Sequence, residues 1–140
     1  MSKDIRIKKG LNINLVGAAE QTTSKAVLSN VYAIQLSDFH GITPKMIVKQ
    51  GAEVKAGEPL FYNKNIENML FVSPVSGELV EIERGDRRRI LTLKILADKT
   101  QEAFAGAALD VEKASKEELK AALLKSGCWP FIKQRPYDVV

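Results

Sequence analysis

Three glycines, Gly51, Gly57 and Gly77, constrain this chain more than any other feature, because each falls at a fixed offset between short apolar positions. The first stretch runs Val48-Lys49-Gln50-Gly51-Ala52-Glu53-Val54-Lys55-Ala56-Gly57-Glu58-Pro59-Leu60-Phe61. The second runs Phe71-Val72-Ser73-Pro74-Val75-Ser76-Gly77-Glu78-Leu79-Val80. Pieces this short, bounded by residues that accept tight turns, have room for strands and not for helices.

The surrounding sequence extends the same pattern. Ile5 and Ile7, then Leu11, Ile13 and Leu15, alternate with polar residues as half-buried strands do. Gly17 to Ser24 is small and polar and reads as a loop. A strand is expected over Val31–Leu36, with Tyr32, Ile34 and Leu36 on one face, followed by a turn at Asp38-Phe39-His40-Gly41. Pro44 cannot sit inside a ladder, so the next strand is expected to begin after it, at Met46 to Val48. Tyr62 to Asn68 is rich in turn residues and reads as a long connection. Leu70–Val72, Glu78–Glu83 and Arg89–Leu96 supply further strands, with the last hairpin turn at Arg84-Gly85-Asp86. Strands this short with glycine turns between them indicate a sandwich or barrel.

The character changes after Leu96. Ala97 to Leu109 is alanine-rich and reads as a connector with weak helical tendency. Ser115 and Glu118 have capping-box spacing, Leu119, Ala122 and Leu123 share a helical face, and Gly127 is a suitable terminator. A helix is therefore expected over residues 116–126. The apolar stretch Cys128-Trp129-Pro130-Phe131-Ile132 follows, and reads as core shared with a following domain. The expected layout is a β barrel-sandwich over residues 1–96, then a connector, the capped helix and the start of another domain over 97–140. The fold class is mainly β with a C-terminal helix.

Composition narrows function. Hydrophobic residues make up 45% and charged residues 27% of 140 residues, which fits a packed domain with an ordinary polar surface. No apolar run approaches the roughly 20 residues of a transmembrane helix, and Met1 to Arg6 lacks the apolar core of a secretory signal. The net charge of +4 is scattered among acids rather than gathered into a nucleic-acid stripe. Cys128 is the only cysteine and His40 the only histidine. One cysteine forms no internal disulfide and holds neither zinc nor an iron–sulfur cluster alone, and a serine or cysteine triad lacks its usual setting. Asp38, two residues before His40, is most simply a turn residue. Gly-x-Gly-x-x-Gly and the Walker lysine pattern are both absent, so no nucleotide is expected to bind by those means. No catalytic, cofactor-binding or metal-ligating residue is identified.

The glycine pattern resembles the barrel-sandwich core of biotinyl and lipoyl carrier domains, which display a modifiable lysine on a hairpin tip. Lys64 is the candidate, but its Asn63 and Asn65 neighbours and its ten-residue distance from Pro74 depart from both carrier patterns. A solvated loop lysine is the plainer reading. Gly51, Gly57, Gly77 and Gly85 are read as structural turns. Arg84, Arg87, Arg88 and Arg89 form the densest charge cluster. The plain reading is a solvated hairpin turn; the sharper one is a contact for a partner's carboxylates or anionic head groups, which guanidinium groups grip bidentately.

Over nearly its whole length the chain resembles the A subunit of the sodium-translocating NADH:quinone reductase. The residues that carry this are Ile5-Arg6-Ile7-Lys8-Lys9-Gly10-Leu11, Gly17-Ala18-Ala19-Glu20-Gln21, the Pro44–Phe61 and Phe71–Arg88 motifs, and Leu123-Leu124 through Ser126-Gly127, Trp129 and Arg135-Pro136. The C subunit of the Rnf electron-transport complex is similar in the glycine core and less so at the N-terminus. The resemblance implies a peripheral subunit on the cytoplasmic side of the inner membrane, working with other subunits, some of them integral to the membrane. That complex oxidises NADH, reduces ubiquinone and exports sodium. The resemblance also implies that flavins and the iron–sulfur centre lie on other subunits and that ubiquinone is a possible ligand of the whole subunit. This fragment is then expected to be a scaffold or docking domain, with a lipoyl or biotin carrier and a quinone-binding module as the alternatives.

Overall fold

The computed structural model describes residues 16–106 and 109–140. The strands expected within residues 5–15 lie outside the described residues.

Among the described residues, seven strands form two antiparallel sheets. β1 (Val31–Gln35), β3 (Glu53–Val54), β6 (Gly77–Arg84) and β7 (Ile90–Ala97) make one sheet in the order β1-β7-β6-β3. β2 (Pro44–Met46), β4 (Pro59–Asn63) and β5 (Ile66–Val72) make the other in the order β2-β4-β5. Both sheets feed one core. Leu60, Phe61, Met69 and Phe71 come from the three-stranded sheet, and Leu79, Leu93 and Ile95 from the four-stranded one. Phe61 lies opposite Phe71 in the β4–β5 register, and their rings stack at 4.4 Å. Burying side chains of this size stabilises by about 1.5–3 kcal/mol each. This is the mainly β barrel-sandwich with one C-terminal helix that the glycine spacing indicates.

Tyr32, Ile34 and Leu36 point inward as their alternation predicts, with Leu36 opening a short 3-10 turn over Leu36–Asp38. Gly51 and Gly57 bend the chain at φ of 82° and 88°. Reciprocal backbone bonds fasten both bends: Gly51 N–H to Leu79 O at 2.8 Å and Leu79 N–H to Ala52 O at 3.0 Å, then Gly57 N–H to Ser73 O at 2.8 Å and Ser73 N–H to Glu58 O at 2.9 Å.

Several local expectations are corrected. β2 begins at Pro44 rather than after it, because β2 is an edge strand and the proline opens it, where a missing N–H costs no ladder bond. Tyr62 to Asn68 is not a long connection: β4 reaches Asn63, β5 starts at Ile66, and only Lys64 and Asn65 lie between them. The buried Asn63 side chain makes this possible, accepting from Thr43 N–H at 3.1 Å and Asn65 N–H at 3.2 Å. The β6–β7 reversal extends past Arg84-Gly85-Asp86: it takes in residues 85–89, and its positive-φ residues are Arg87 and Arg88 rather than Gly85, which is extended at φ −96°.

The connector is extended where described, not helical. Ala56 N–H donates to Glu102 O at 2.9 Å and Phe104 N–H to Ala56 O at 2.7 Å, so bonds to the barrel outweigh the weak helical propensity of alanine-rich sequence. The helix α1 spans Lys116–Lys125, with both halves of the Ser115/Glu118 capping box formed. Of the expected face Leu119 and Ala122 are half-buried but Leu123 is exposed, and the buried leucine of α1, which packs on β5, is Leu124. Trp129 and Leu124 join the barrel core, Pro130 is fully buried, and Phe131 is 71% exposed. The Cys128–Ile132 stretch is therefore split between this core and the surface.

Gly77→Ala is expected to cost about 3 kcal/mol, since its Cβ would lie 1.9 Å from Leu96 O on a backbone at φ 153°. Gly51→Ala meets no atom within 4 Å and should cost only the left-handed backbone, about 1 kcal/mol. Urea denaturation of the two variants beside the parent chain checks this ordering.

Candidate functional site

The reversal between β6 and β7 is built from residues that disfavour it. Arg87 and Arg88 both take left-handed backbone, at φ 53° and 61°, a conformation that costs a side-chain-bearing residue on the order of 1 kcal/mol. Gly85 N–H donates to Arg89 O at 2.8 Å and Arg89 N–H to Asp86 O at 3.1 Å, closing the turn. Arg84 Nη1 donates to Arg88 O at 3.2 Å, so one guanidinium braces the loop that carries the others. Arg84, Arg87, Arg88 and Arg89 are all exposed, and none forms an ion pair among the described residues. Four like charges in six residues, with Asp86 the one acid inside the turn, leave a strongly positive tip. Fixed guanidinium groups of this kind pair with carboxylate or phosphate oxygens through two parallel hydrogen bonds.

Lys64 lies on the two-residue tip of the β4–β5 hairpin, exposed and outside every ion pair among the described residues. Lys94, by contrast, is tied across the outer face of the sheet to Glu81 at 2.9 Å and Glu83 at 3.8 Å. The hydrogen bond to Glu81 holds its pKa above the ordinary value.

The third cluster was invisible as local sequence. His40 Nδ1 lies 2.8 Å from Asp138 Oδ2. Lys133 Nζ lies 3.1 Å from Asp138 Oδ1 and donates to Asp38 O at 2.8 Å. A parallel bridge joins His40 to Val139, and Gln134 N–H donates to Val139 O at 2.7 Å. Together these groups clasp residues 133–139 to the turn that follows β1. The Lys133 hydrogen bond, and after it that of His40, hold the Asp138 carboxyl below its ordinary value. Asp38 remains a turn residue whose carbonyl is held by Lys133, and His40 is tied to Asp138; these partners lie 95 and 98 residues away. No spacing rule reaches that far.

Glu53, Lys55, Glu58, Asp98 and Glu102 line an open cleft of about 200 Å³, in which Lys55 Nζ pairs with Glu102 Oε2 at 3.0 Å. Among the described residues, no group of three or more His, Cys, Asp or Glu side chains is placed to hold a metal ion. None of their helices is long and apolar enough to cross a membrane. Cys128 is exposed and unpaired by disulfide.

Comparison with known proteins agrees with this architecture. Residues 5–98 match the family model described as the NqrA N-terminal barrel-sandwich hybrid domain, and residues 114–140 match the one described as the NqrA second alpha/beta domain. The chain is 39% identical over 137 residues to the A subunit of the Na(+)-translocating NADH-quinone reductase of Tolumonas auensis, covering 96% of this chain and 31% of that protein. It is 31% identical over 137 residues to the same subunit from a Marinomonas species, with the same coverage. The subunit from Neisseria meningitidis is 33% identical over 140 residues, covering 97% of this chain and 31% of the relative. The chain therefore spans about a third of the length of the curated relatives it matches.

The clasp gives a signed pH dependence. A carboxylate whose pKa is depressed by folding stabilises fully above its unfolded value, and that contribution is lost as pH falls through the folded value. Fluorescence of Trp129, the only tryptophan, should thus report loosening of the clasped segment below about pH 4. Asp138→Asn should loosen it at neutral pH and flatten the acid transition. A transition identical in both chains would show that the clasp is not what titrates.

Proposed function

The chain belongs to the NqrA family, and on that premise we propose that it is the scaffold and docking domain of the peripheral NqrA subunit in a sodium-translocating NADH:quinone reductase. In this reading the subunit supports electron transfer from NADH to ubiquinone coupled to sodium export, from the cytoplasmic side of the membrane. NADH, flavins and the iron–sulfur centre belong to other subunits, some of them integral to the membrane. The domain itself carries no reacting group; its work is to hold partners in place. The observation that carries the proposal is the arginine turn: four exposed guanidinium groups without ion partners among the described residues, on a loop held in unfavourable backbone. Positive φ at both central residues is what a tight hairpin turn of this hand requires, so the backbone sets how the arginines are presented, and their unpaired charge is what supports the reading.

Residues 1–96 are read as the barrel-sandwich and 97–140 as a connector, helix and the opening of a second domain. The match of 114–140 to the second-domain model supports this, as do the exposed Phe131, Ile132 and Tyr137. That apolar surface is suited to cover by the rest of an α/β domain.

One observation favours a second reading. Lys64 sits where a carrier lysine would, on an exposed hairpin tip. Incubation with a lipoyl or biotin ligase and its acyl donor, followed by mass spectrometry, separates the two. An added acyl mass on Lys64 establishes a carrier, and an unchanged mass removes that reading.

The docking proposal is tested by capture of the purified remaining reductase subunits on the immobilised chain. The parent chain is expected to retain them, and a variant with Arg87, Arg88 and Arg89 all changed to Ser to retain less than about a tenth as much, as for the loss of charged hot-spot contacts. Equal retention by both would remove the arginine turn from the interface.

A further inference from the structure

Beside the arginine turn the surface is concave. A cleft of about 120 Å³ opens between the turn after β1 and the start of β7, lined among others by Leu36, Phe39, His40, Ile42, Arg89 and Ile90. Leu36 and Ile90 are buried members of the main core, and Phe39 and Ile42 pack against that core, so part of the lining is apolar and anchored from beneath, while Ser37, His40 and Arg89 make the rest polar. Phe39 is held in place by edge-on contacts with Phe71 at 4.9 Å and Phe131 at 5.7 Å. His40 has its Nδ1 engaged by Asp138, which leaves Nε2 without a partner among the described residues. Arg89 belongs both to the cleft and to the positive turn. Of the nearby acids, Asp138 is satisfied by Lys133 and His40 and Glu83 lies 3.8 Å from Lys94, which leaves Asp86 and Asp38 against four arginines.

We propose that cleft and turn together receive one acidic segment of a partner polypeptide, with an apolar side chain seated in the cleft and flanking carboxylates on Arg87, Arg88 and Arg89. The inference rests on the docking reading and supplies the chemistry of the partner. Charge complementarity selects the acids, and the apolar part of the lining, Phe39 and Ile42 over Leu36 and Ile90, selects the side chain between them. A lipid surface is a poorer fit, since a flat array of head groups pairs with the arginines but leaves the concave apolar surface empty. A free phosphate likewise has no apolar part to place there.

Fluorescence anisotropy on the full 140-residue chain tests this with a labelled pentapeptide that has a central phenylalanine between two pairs of acids. A second peptide replaces that phenylalanine by alanine, and phosphatidylcholine vesicles containing phosphatidylglycerol serve as the lipid probe. The phenylalanine peptide is expected to bind about tenfold more tightly than the alanine one, and to lose about tenfold in Arg89→Ser. It should be unaffected by Lys64→Ser on the other sheet, and its binding should weaken with added salt. Equal affinity for the two peptides overturns the proposal. So does indifference to Arg89→Ser, or vesicle binding through the same arginines without peptide binding. If the peptides fail while capture of the reductase subunits still depends on Arg87, Arg88 and Arg89, docking stands and the acidic-segment inference falls. If capture is also independent of the arginines, both fall.

Discussion

Everything in this molecule hangs on the close approach of backbone to backbone at Gly77. It opens β6 with Val54 of β3 opposite it on one side and Ala97 of β7 on the other. Its α-carbon stands where any Cβ would lie 1.9 Å from Leu96 O. Only a residue without a side chain lets three strands meet there. The preceding Ser76 completes the junction. Its Oγ accepts from Glu102 N–H at 2.9 Å, its N–H donates to Gln101 Oε1 at 2.8 Å, and its carbonyl accepts from Asp98 N–H at 2.9 Å. One buried serine and one glycine thus close the sheet and pin the connector that leads to the helix.

The arginine turn is at the other end of the same strand. β6 runs eight residues from Gly77 to Arg84, about 25 Å of extended chain, between a rigid junction and an exposed tip. Leu79 and Ile82 of β6 lie opposite Ile95 and Leu93 of β7, so the hairpin that carries the tip is fixed by the core rather than free to swing. The His40–Asp138–Lys133 clasp then draws residues 133–139 to the same region, beside the turn that follows β1. A stiff hairpin thus presents charge next to an anchored, partly apolar cleft, the arrangement on which the docking proposal rests.

Much of this was legible in the residues because the signals are local. The glycine offsets name turns, the alternation in Val31–Leu36 names an inward face, and Ser115 with Glu118 names the helix start. What failed did so for tertiary reasons. Asn63 carries a loop former's identity, yet its buried amide bonds two backbone N–H groups and tightens a seven-residue connection into a two-residue turn. The alanine-rich connector obeys Ser76 and Ala56 rather than its own propensity. Leu124 rather than Leu123 is the buried leucine of α1, which packs on β5. At the candidate site, the four arginines are plain in the sequence, but the left-handed backbone at Arg87 and Arg88 and the partnership of His40 with Asp138 are not. Neither leaves a mark within a few residues of itself.

The most direct test of the docking account is hydrogen–deuterium exchange on this chain, alone and assembled with the other reductase subunits. The account predicts that assembly slows exchange at the amides of the arginine turn and of the neighbouring Phe39-His40-Gly41-Ile42 loop, while the far ends of the sheets stay unchanged. Unaltered exchange at both, with new protection elsewhere on the barrel, would contradict it.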